Sequence, residues 1–234
     1  MKYRRHDLIE ATEKGRQFAY EQLMESVCCL SHLQEVKKIV LGDDGAAKIP
    51  GIIRREENCN IEGKIPVGFS SPDLYEGRRL RIPAFIPENE IVKIISPYDL
   101  VEYAFTKRTR VLEALNEIKP ISIEMGIELG VWGSTALEVY TSLPYTNANS
   151  DLDLLMKFKE LDVIEHFKKN ICLLGEKYNV RIDLEIDLPN VYGVKSEELF
   201  LETETVLGKG LFDVKLIPKR DIIKMANDLF GRFA

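Results

Sequence analysis

The sequence predicts a protein of mixed helix and strand, in an α/β or α+β sandwich, and three observations point there. Strand-like and helix-like stretches alternate through the second half. Residues 180–187 switch strictly between apolar and charged side chains, the period of a strand with one buried face. A proline at 120 separates this alternating region from a more irregular first half.

The elements follow in order. Residues 7–38 are rich in Leu, Glu, Gln and Ala with apolar positions three and four apart, which predicts helix. Asp43-Asp44-Gly45 is a turn signal, and residues 49–55 and 65–69 read as strands. Pro72, Gly77, Pro83 and Pro87 make residues 67–87 turn-rich with short extended pieces. Ser96-Pro97 starts a helix, with Asp99 suited to its first turn, and Pro120 stops it near residue 118. That proline is the expected boundary between a first domain, 1–118, and a second, 119–234. Beyond it come a strand (127–132), a helix (135–142), a loop with Pro144, Asn147 and Asn149, a strand (152–158), a helix (161–178) and a strand (180–186). A short strand (212–217) and a helix from residue 219 complete the chain.

With 234 residues, 45% of them hydrophobic and 30% charged, the chain can bury one large core or two modest ones and needs no staples. A net charge of −6 argues against non-specific binding to nucleic acid, which calls for a basic face. Cys28, Cys29, Cys59 and Cys172 form no C-x-x-C pair and, with His6, His32 and His166 scattered, no zinc spacing. Reduced thiols are the simple reading. No apolar run follows the basic N-terminus or approaches the ~20 residues of a membrane helix, so a cytoplasmic protein is expected.

The chemistry concentrates in three places. Val131-Trp132-Gly133-Ser134 runs from an apolar strand into a helix. Glycine allows a tight turn, and the Ser134 hydroxyl with the free N–H groups of the new helix can hold phosphate oxygens. A plain helix cap would look the same. Ser150-Asp151-Leu152-Asp153 then places two acids on one strand face with Cα atoms roughly 6.5 Å apart. Two like charges at that distance repel by about 2–3 kcal/mol at an effective dielectric of ~20. A divalent cation bridging Asp151 and Asp153 offsets that repulsion, and Mg2+ prefers such hard oxygen ligands. Finally, Val180, Ile182, Leu184 and Ile186 bury one strand face while Arg181, Asp183, Glu185 and Asp187 line the other, so Asp183 or Glu185 can complete a three-carboxylate site. Water-facing strand surfaces explain either acidic strand alone; the combination favours metal.

This constellation resembles the nucleotidyltransferase superfamily typified by DNA polymerase beta: Gly-Ser, a helix, Asp-apolar-Asp, and a third acid on a later strand. Asp151 falls seventeen positions after Ser134, longer than the common spacing, with the extra length in residues 143–150. Gly133-Ser134-Thr135-Ala136-Leu137-Glu138, Thr141-Ser142-Leu143-Pro144 and Ala148-Asn149-Ser150-Asp151-Leu152-Asp153 resemble, more narrowly, the malonate decarboxylase holo-acyl-carrier-protein synthases, the phosphoribosyl-dephospho-coenzyme A transferases. Arg5-His6-Asp7-Leu8, Ile65-Pro66-Val67-Gly68-Phe69, Arg78-Arg79-Leu80-Arg81 and Ile95-Ser96-Pro97 extend the likeness. Ser142 stands where the family typically has glycine.

The resemblance implies an α+β fold: a polymerase-beta-like catalytic C-terminal domain and a smaller α+β N-terminal domain for substrate or carrier recognition. It implies transfer of the phosphoribosyl-dephospho-CoA group from triphosphoribosyl-dephospho-CoA to a serine of the apo acyl carrier protein subunit of malonate decarboxylase, with release of pyrophosphate. Asp151, Asp153 and Asp183, or Glu185 as third acid, would hold two Mg2+ ions while Gly133 and Ser134 grip terminal phosphates. Neither a nucleic acid nor a membrane is an expected partner. Arg78 and Arg79 are the favoured phosphate contacts, with Arg81, Lys107, Arg108 and Arg110 as further cations; solvated surface charge accounts equally well for any one. His6-Asp7 reads as a helix cap or a site element, and Trp132 as core rather than a stacking platform. Two other readings stay open: a nucleotidyltransferase adenylating a small molecule, RNA or protein from ATP, and a non-catalytic module that docks to a carrier.

Overall fold

The computed structural model describes residues 3–26, 32–42, 48–56 and 62–231. Cys28, Cys29, Cys59 and the Asp43-Asp44-Gly45 signal lie outside these residues; Cys172 is a free, exposed thiol. The chain is α+β, with two sheets.

The first half contains β1 (Leu8–Ala11), α1 (Glu13–Ser26), α2 (Leu33–Leu41), β2 (Gly51–Ile53), β3 (Lys64–Tyr75), β4 (Arg78–Pro87) and β5 (Ile91–Ile95). Its sheet is antiparallel throughout in the order β4-β3-β2-β1-β5. Residues 8–11 are thus a strand, where helix was expected. Leu8 faces the core of the second half and its neighbour Ile9 faces the core under α1 and α2. A strand buried on both faces shows no alternation to betray it.

The expected turn-rich stretch 67–87 is instead a long hairpin. Glu76 and Gly77 form its two-residue turn, with φ of +50° and +78°, the conformation that matches strand twist. Pro72 falls in a register shift between Ser70 and Leu74, and Pro83 sits on the edge strand, where a missing N–H costs no ladder bond.

The second half contains α3 (Pro97–Leu100), α4 (Arg110–Glu124), β6 (Leu129–Val131), α5 (Gly133–Thr141), β7 (Leu152–Lys157), α6 (Leu161–Tyr178), β8 (Ile182–Asp187), β9 (Gly193–Lys195), α7 (Ser196–Leu199), β10 (Thr205–Lys209), β11 (Val214–Pro218) and α8 (Lys219–Phe230). The sheet order is β11-β10-β9-β8-β7-β6. Only β7 and β8 pair in parallel, and α6 makes the crossover between them.

The helix starting at Pro97 is capped by Ser96, as expected, but ends at Leu100, so Lys107 and Arg108 lie in a linker. Pro120 does not stop a helix; it sits inside α4. Val111, Leu112, Leu115, Ile118 and Ser122 on that helix are buried, and α4 packs on α6. That burial offsets the ~3 kcal/mol an interior proline costs.

Candidate active site

The short strand β6 delivers Trp132, Gly133 and Ser134 to the start of α5. Gly133 has φ of +70°, and a Cβ there would stand 2.4 Å from Asp153 Oδ2. Glycine is therefore required twice, once by the backbone and once by the adjacent carboxylate. Trp132 occupies the cap position and offers no side-chain cap, which leaves the first N–H groups of α5 without one. The Trp132 N–H donates to Asp153 O at 3.1 Å, tying the turn to the acidic strand.

The parallel register sets Asp153 directly beside Asp183. Burial raises the Asp153 carboxyl to about 6, and the charges of Asp183 and Asp151 push the same way. Asp151 is exposed just ahead of β7. Asp183 Oδ1 accepts from Arg181 Nη2 at 3.2 Å, and its Oδ2 lies 3.8 Å from Lys195 Nζ. Among the described residues, no three His, Cys, Asp or Glu side chains already converge as a finished cation cage. Asp153 and Asp183 are brought together; Asp151 would have to turn inward.

Glu185 is placed differently. It is buried and ion-paired with Arg5, and His6 Nε2 lies 3.4 Å from its Oε1. Burial opposes its charge, but the hydrogen bond and charge of His6 and the charges of Arg5 and Lys209 outweigh that and bring the carboxyl down to about 2. Burial pushes the His6 ring below its usual value, against the pull of Glu185. His6 is no helix cap: it lies in a turn ahead of β1, with its ring centroid 3.9 Å from that of Trp132. Trp132 is half-buried and lines the cleft.

That cleft, about 530 Å3, lies between the first sheet and the Gly133-Ser134 turn. Ile52, Pro83 and Trp132 supply its apolar lining, and Arg5, Arg54, Arg55, Arg79 and Arg81 its cationic one; Phe69 and Ile82 border it from the strands, but their side chains are buried in the core under α1 and α2. Of the two arginines favoured from sequence, Arg79 lines the cleft. Its guanidinium, however, donates to the carbonyls of Ser71, Pro72 and Tyr145, stitching the β3 irregularity to the loop before Asp151. Arg78 stands exposed at the hairpin tip, opposite Tyr75 and outside the cleft. Sequence reasoning missed Arg5, Arg54 and Arg55 as cleft residues. It had one usable signal: on a strand, Arg79 and Arg81 share a face that Arg78 cannot.

The loop 143–150 is fixed by buried polar contacts. Glu138 on α5 accepts from Arg108 Nε at 3.0 Å and Nη2 at 2.9 Å, from Thr146 N at 2.5 Å and from Thr146 Oγ1 at 2.7 Å. Tyr145 is fully buried and donates from its hydroxyl to Ser70 O at 2.8 Å. Ser142, at the end of α5, takes φ of +61°, the left-handed conformation that glycine favours there.

These features define a two-sheet α+β protein in which a glycine turn and Asp153, paired across the strands with Asp183, face an arginine-lined cleft. The chain belongs to the phosphoribosyl-dephospho-CoA transferase MdcG family: the model of that family's N-terminal domain matches residues 4–97, and the model of its C-terminal domain matches residues 99–220. It is therefore a transferase. Similar proteins include a phosphoribosyl-dephospho-CoA transferase of Pseudomonas fluorescens (strain Pf0-1), 26% identical over 154 residues, covering 63% of this chain and 68% of the relative. Another, from Xanthomonas campestris pv. campestris (strain 8004), is 26% identical over 177 residues, covering 74% of this chain and 81% of the relative. No solved structure matches the chain. Among the described residues, no helix is long and apolar enough to cross a membrane.

Proposed function

We propose that this transferase is a nucleotidyltransferase that moves the phosphoribosyl-dephospho-CoA group from 2'-(5''-triphosphoribosyl)-3'-dephospho-CoA to a serine of the apo acyl carrier subunit of malonate decarboxylase. The observation that carries the reading is the Asp153–Asp183 pair, set against the Gly133-Ser134 turn, with Asp153 open to an arginine-lined cleft. The serine Oγ forms a bond to the phosphorus nearest the ribose, the bond from that phosphorus to the β-phosphate oxygen breaks, and pyrophosphate leaves. The serine proton passes to the carboxylate cluster.

The donor set fits Mg2+: hard oxygens only, on strand positions that put like charges together at a site where burial already disfavours them. Asp151, Asp153 and Asp183 would hold the ions; Glu185, already engaged by Arg5, is a poorer ligand. Two bound Mg2+ ions would supply charge neutralisation at the polyphosphate and the leaving group. The N–H groups at the start of α5 and the Ser134 hydroxyl hold terminal phosphate oxygens, while Arg54, Arg55 and Arg81 from the first half add cationic contacts. The apolar lining of Ile52, Pro83 and Trp132 excludes water from the rest of the ligand.

Purified protein, Mg2+ and the triphosphoribosyl precursor should raise the mass of apo carrier by one prosthetic group and release one pyrophosphate. A carrier whose mass never changes sinks the proposal. Label transferred instead from ATP to an acceptor would favour an adenylating enzyme.

A further inference from the structure

We infer that Arg5 is a phosphate-contacting residue of the cleft, presented from the first half of the chain by Glu185 and His6 acting as positioning residues. The inference rests on the proposed function for the identity of the phosphate-bearing ligand.

Arg4 to Asp7 form a tight turn: Asp7 N donates to Arg4 O at 3.3 Å, and Arg4 N donates to Asp7 Oδ2 at 2.7 Å. Within it His6 adopts φ of +73°, a left-handed conformation that a side-chain-bearing residue avoids unless its surroundings enforce it. Enforcement comes from β2: His6 N donates to Ile53 O at 3.0 Å and Ile53 N to Asp7 O at 2.8 Å. The turn projects Arg5 and His6 off the first sheet and onto β8 of the second.

There Glu185 receives them. Its side chain is 8% exposed, against 12% for Arg5 and 13% for His6. The second half has made room for this carboxylate, since a Cβ at Gly193 would lie 1.9 Å from Glu185 Oε1. The His6 ring packs on Trp132, the residue before Gly133, whose indole Nε1 donates to Leu154 O at 3.3 Å. The turn that cradles phosphate is thereby backed by the N-terminal segment.

Arg5 Nη2 makes the contacts with Glu185 and His6. A guanidinium has five N–H donors, so Nε and Nη1 have donors with no hydrogen-bond partner among the described residues. Arg5 lines the same cleft as Ser134 and Asp153. A planar, permanent cation, half-spent on a buried carboxylate and with its remaining donors beside a phosphate-holding turn, suits bidentate contact with a polyphosphate. Glu185 then serves to aim the guanidinium, which explains why an acid on the Asp183 face is paired with arginine rather than left for metal.

The test compares the full chain with R5A, R5K and E185Q. Inorganic triphosphate binding with Mg2+ is measured calorimetrically, and KM and kcat are measured with the triphosphoribosyl precursor and apo carrier. R5A should weaken triphosphate binding and raise KM about 10- to 100-fold, with a smaller effect on kcat. R5K should recover part of the loss, and E185Q should act through KM while Mg2+ affinity stays at the wild-type level. Unchanged triphosphate binding in both R5A and R5K overturns the inference even if the wild type modifies carrier. A tenfold loss of Mg2+ affinity in E185Q overturns the positioning role and makes Glu185 a ligand. If the wild type binds triphosphate through Arg5 yet never modifies carrier, the proposed function fails while the phosphate contact stands.

Discussion

Replacing Asp153 with asparagine should abolish transfer and at the same time make the metal-free protein more stable. The carboxyl is raised from the usual 3.8 to about 6, first by burial and then by the charges of Asp183 and Asp151. Among the described residues no hydrogen bond is donated to it. An acid whose pKa is raised on folding is held in its protonated form by the native state. Its contribution is therefore most favourable below pH 4 and is lost as pH rises from about 4 to about 6. Above that window the ionised group costs the fold about 3 kcal/mol, at about 1.4 kcal/mol for each pH unit. Asparagine keeps the shape and discards the charge, so Asp153→Asn should gain about 2–3 kcal/mol at pH 7.5, or roughly 5–10 °C in Tm for a chain of this size. At pH 4 the two proteins should unfold together. Millimolar Mg2+ should raise the wild-type midpoint and leave that of the variant in place, because only a group that binds the folded state shifts it. Thermal unfolding at pH 4 and 7.5, with and without Mg2+, together with carrier modification, measures all of this. A variant less stable than wild type at pH 7.5, or equally responsive to Mg2+, would refute the reasoning.

Two further perturbations separate geometry from charge. Gly133→Ala places a methyl 2.4 Å from Asp153 Oδ2 on a backbone at φ of +70°. It should cost about 1–2 kcal/mol of stability by urea unfolding, but at least about 100-fold in turnover, because relief of the clash moves the carboxylate; turnover within a few-fold of wild type contradicts this. Glu138→Ala removes the acceptor for four hydrogen bonds from Arg108 and Thr146. Loss of about 2–4 kcal/mol is expected, with faster limited proteolysis within residues 143–150; an unchanged cleavage pattern would show that the loop is held elsewhere.

Much of the second half was legible because its elements each hide one face. Ile164, Phe167 and Ile171 give α6 its buried stripe, and Asn179, left-handed at φ of +50°, ends the helix where the pattern ends. Gly133-Ser134 and Asp151-Leu152-Asp153 were legible for a different reason: their spacing makes chemical sense without any knowledge of the rest of the chain. Other features were decided by contacts at long range. Leu8 and Ile9 are buried by two different cores, so β1 looks like nothing in particular. Pro120 reads as a stop until α6 is known to pack on α4. The cationic wall comes from residues more than fifty positions before Gly133, and no local pattern joins Arg54 or Arg81 to it.

The strand 182–187 shows how the two sources of information combine. From its alternation, Asp183, Glu185 and Asp187 belong to one polar face, and either of the first two could be the third metal ligand. In the fold that face is not uniform. Asp187 is buried under Arg4 at 2.6 Å, Lys157 at 2.8 Å and the Tyr98 hydroxyl at 3.1 Å; Glu185 is buried under Arg5; Asp183 alone stays beside Asp153. The N-terminal segment has thus divided a run of equivalent acids into two that join the halves and one that faces the turn. Strand periodicity placed all three acids on one face, and the partners that distinguish Glu185 lie some 180 residues away in sequence. The choice between Asp183 and Glu185 as third carboxylate therefore turns on the N-terminal segment, and the E185Q variant with Mg2+ titration tests it at the residue where the two halves meet.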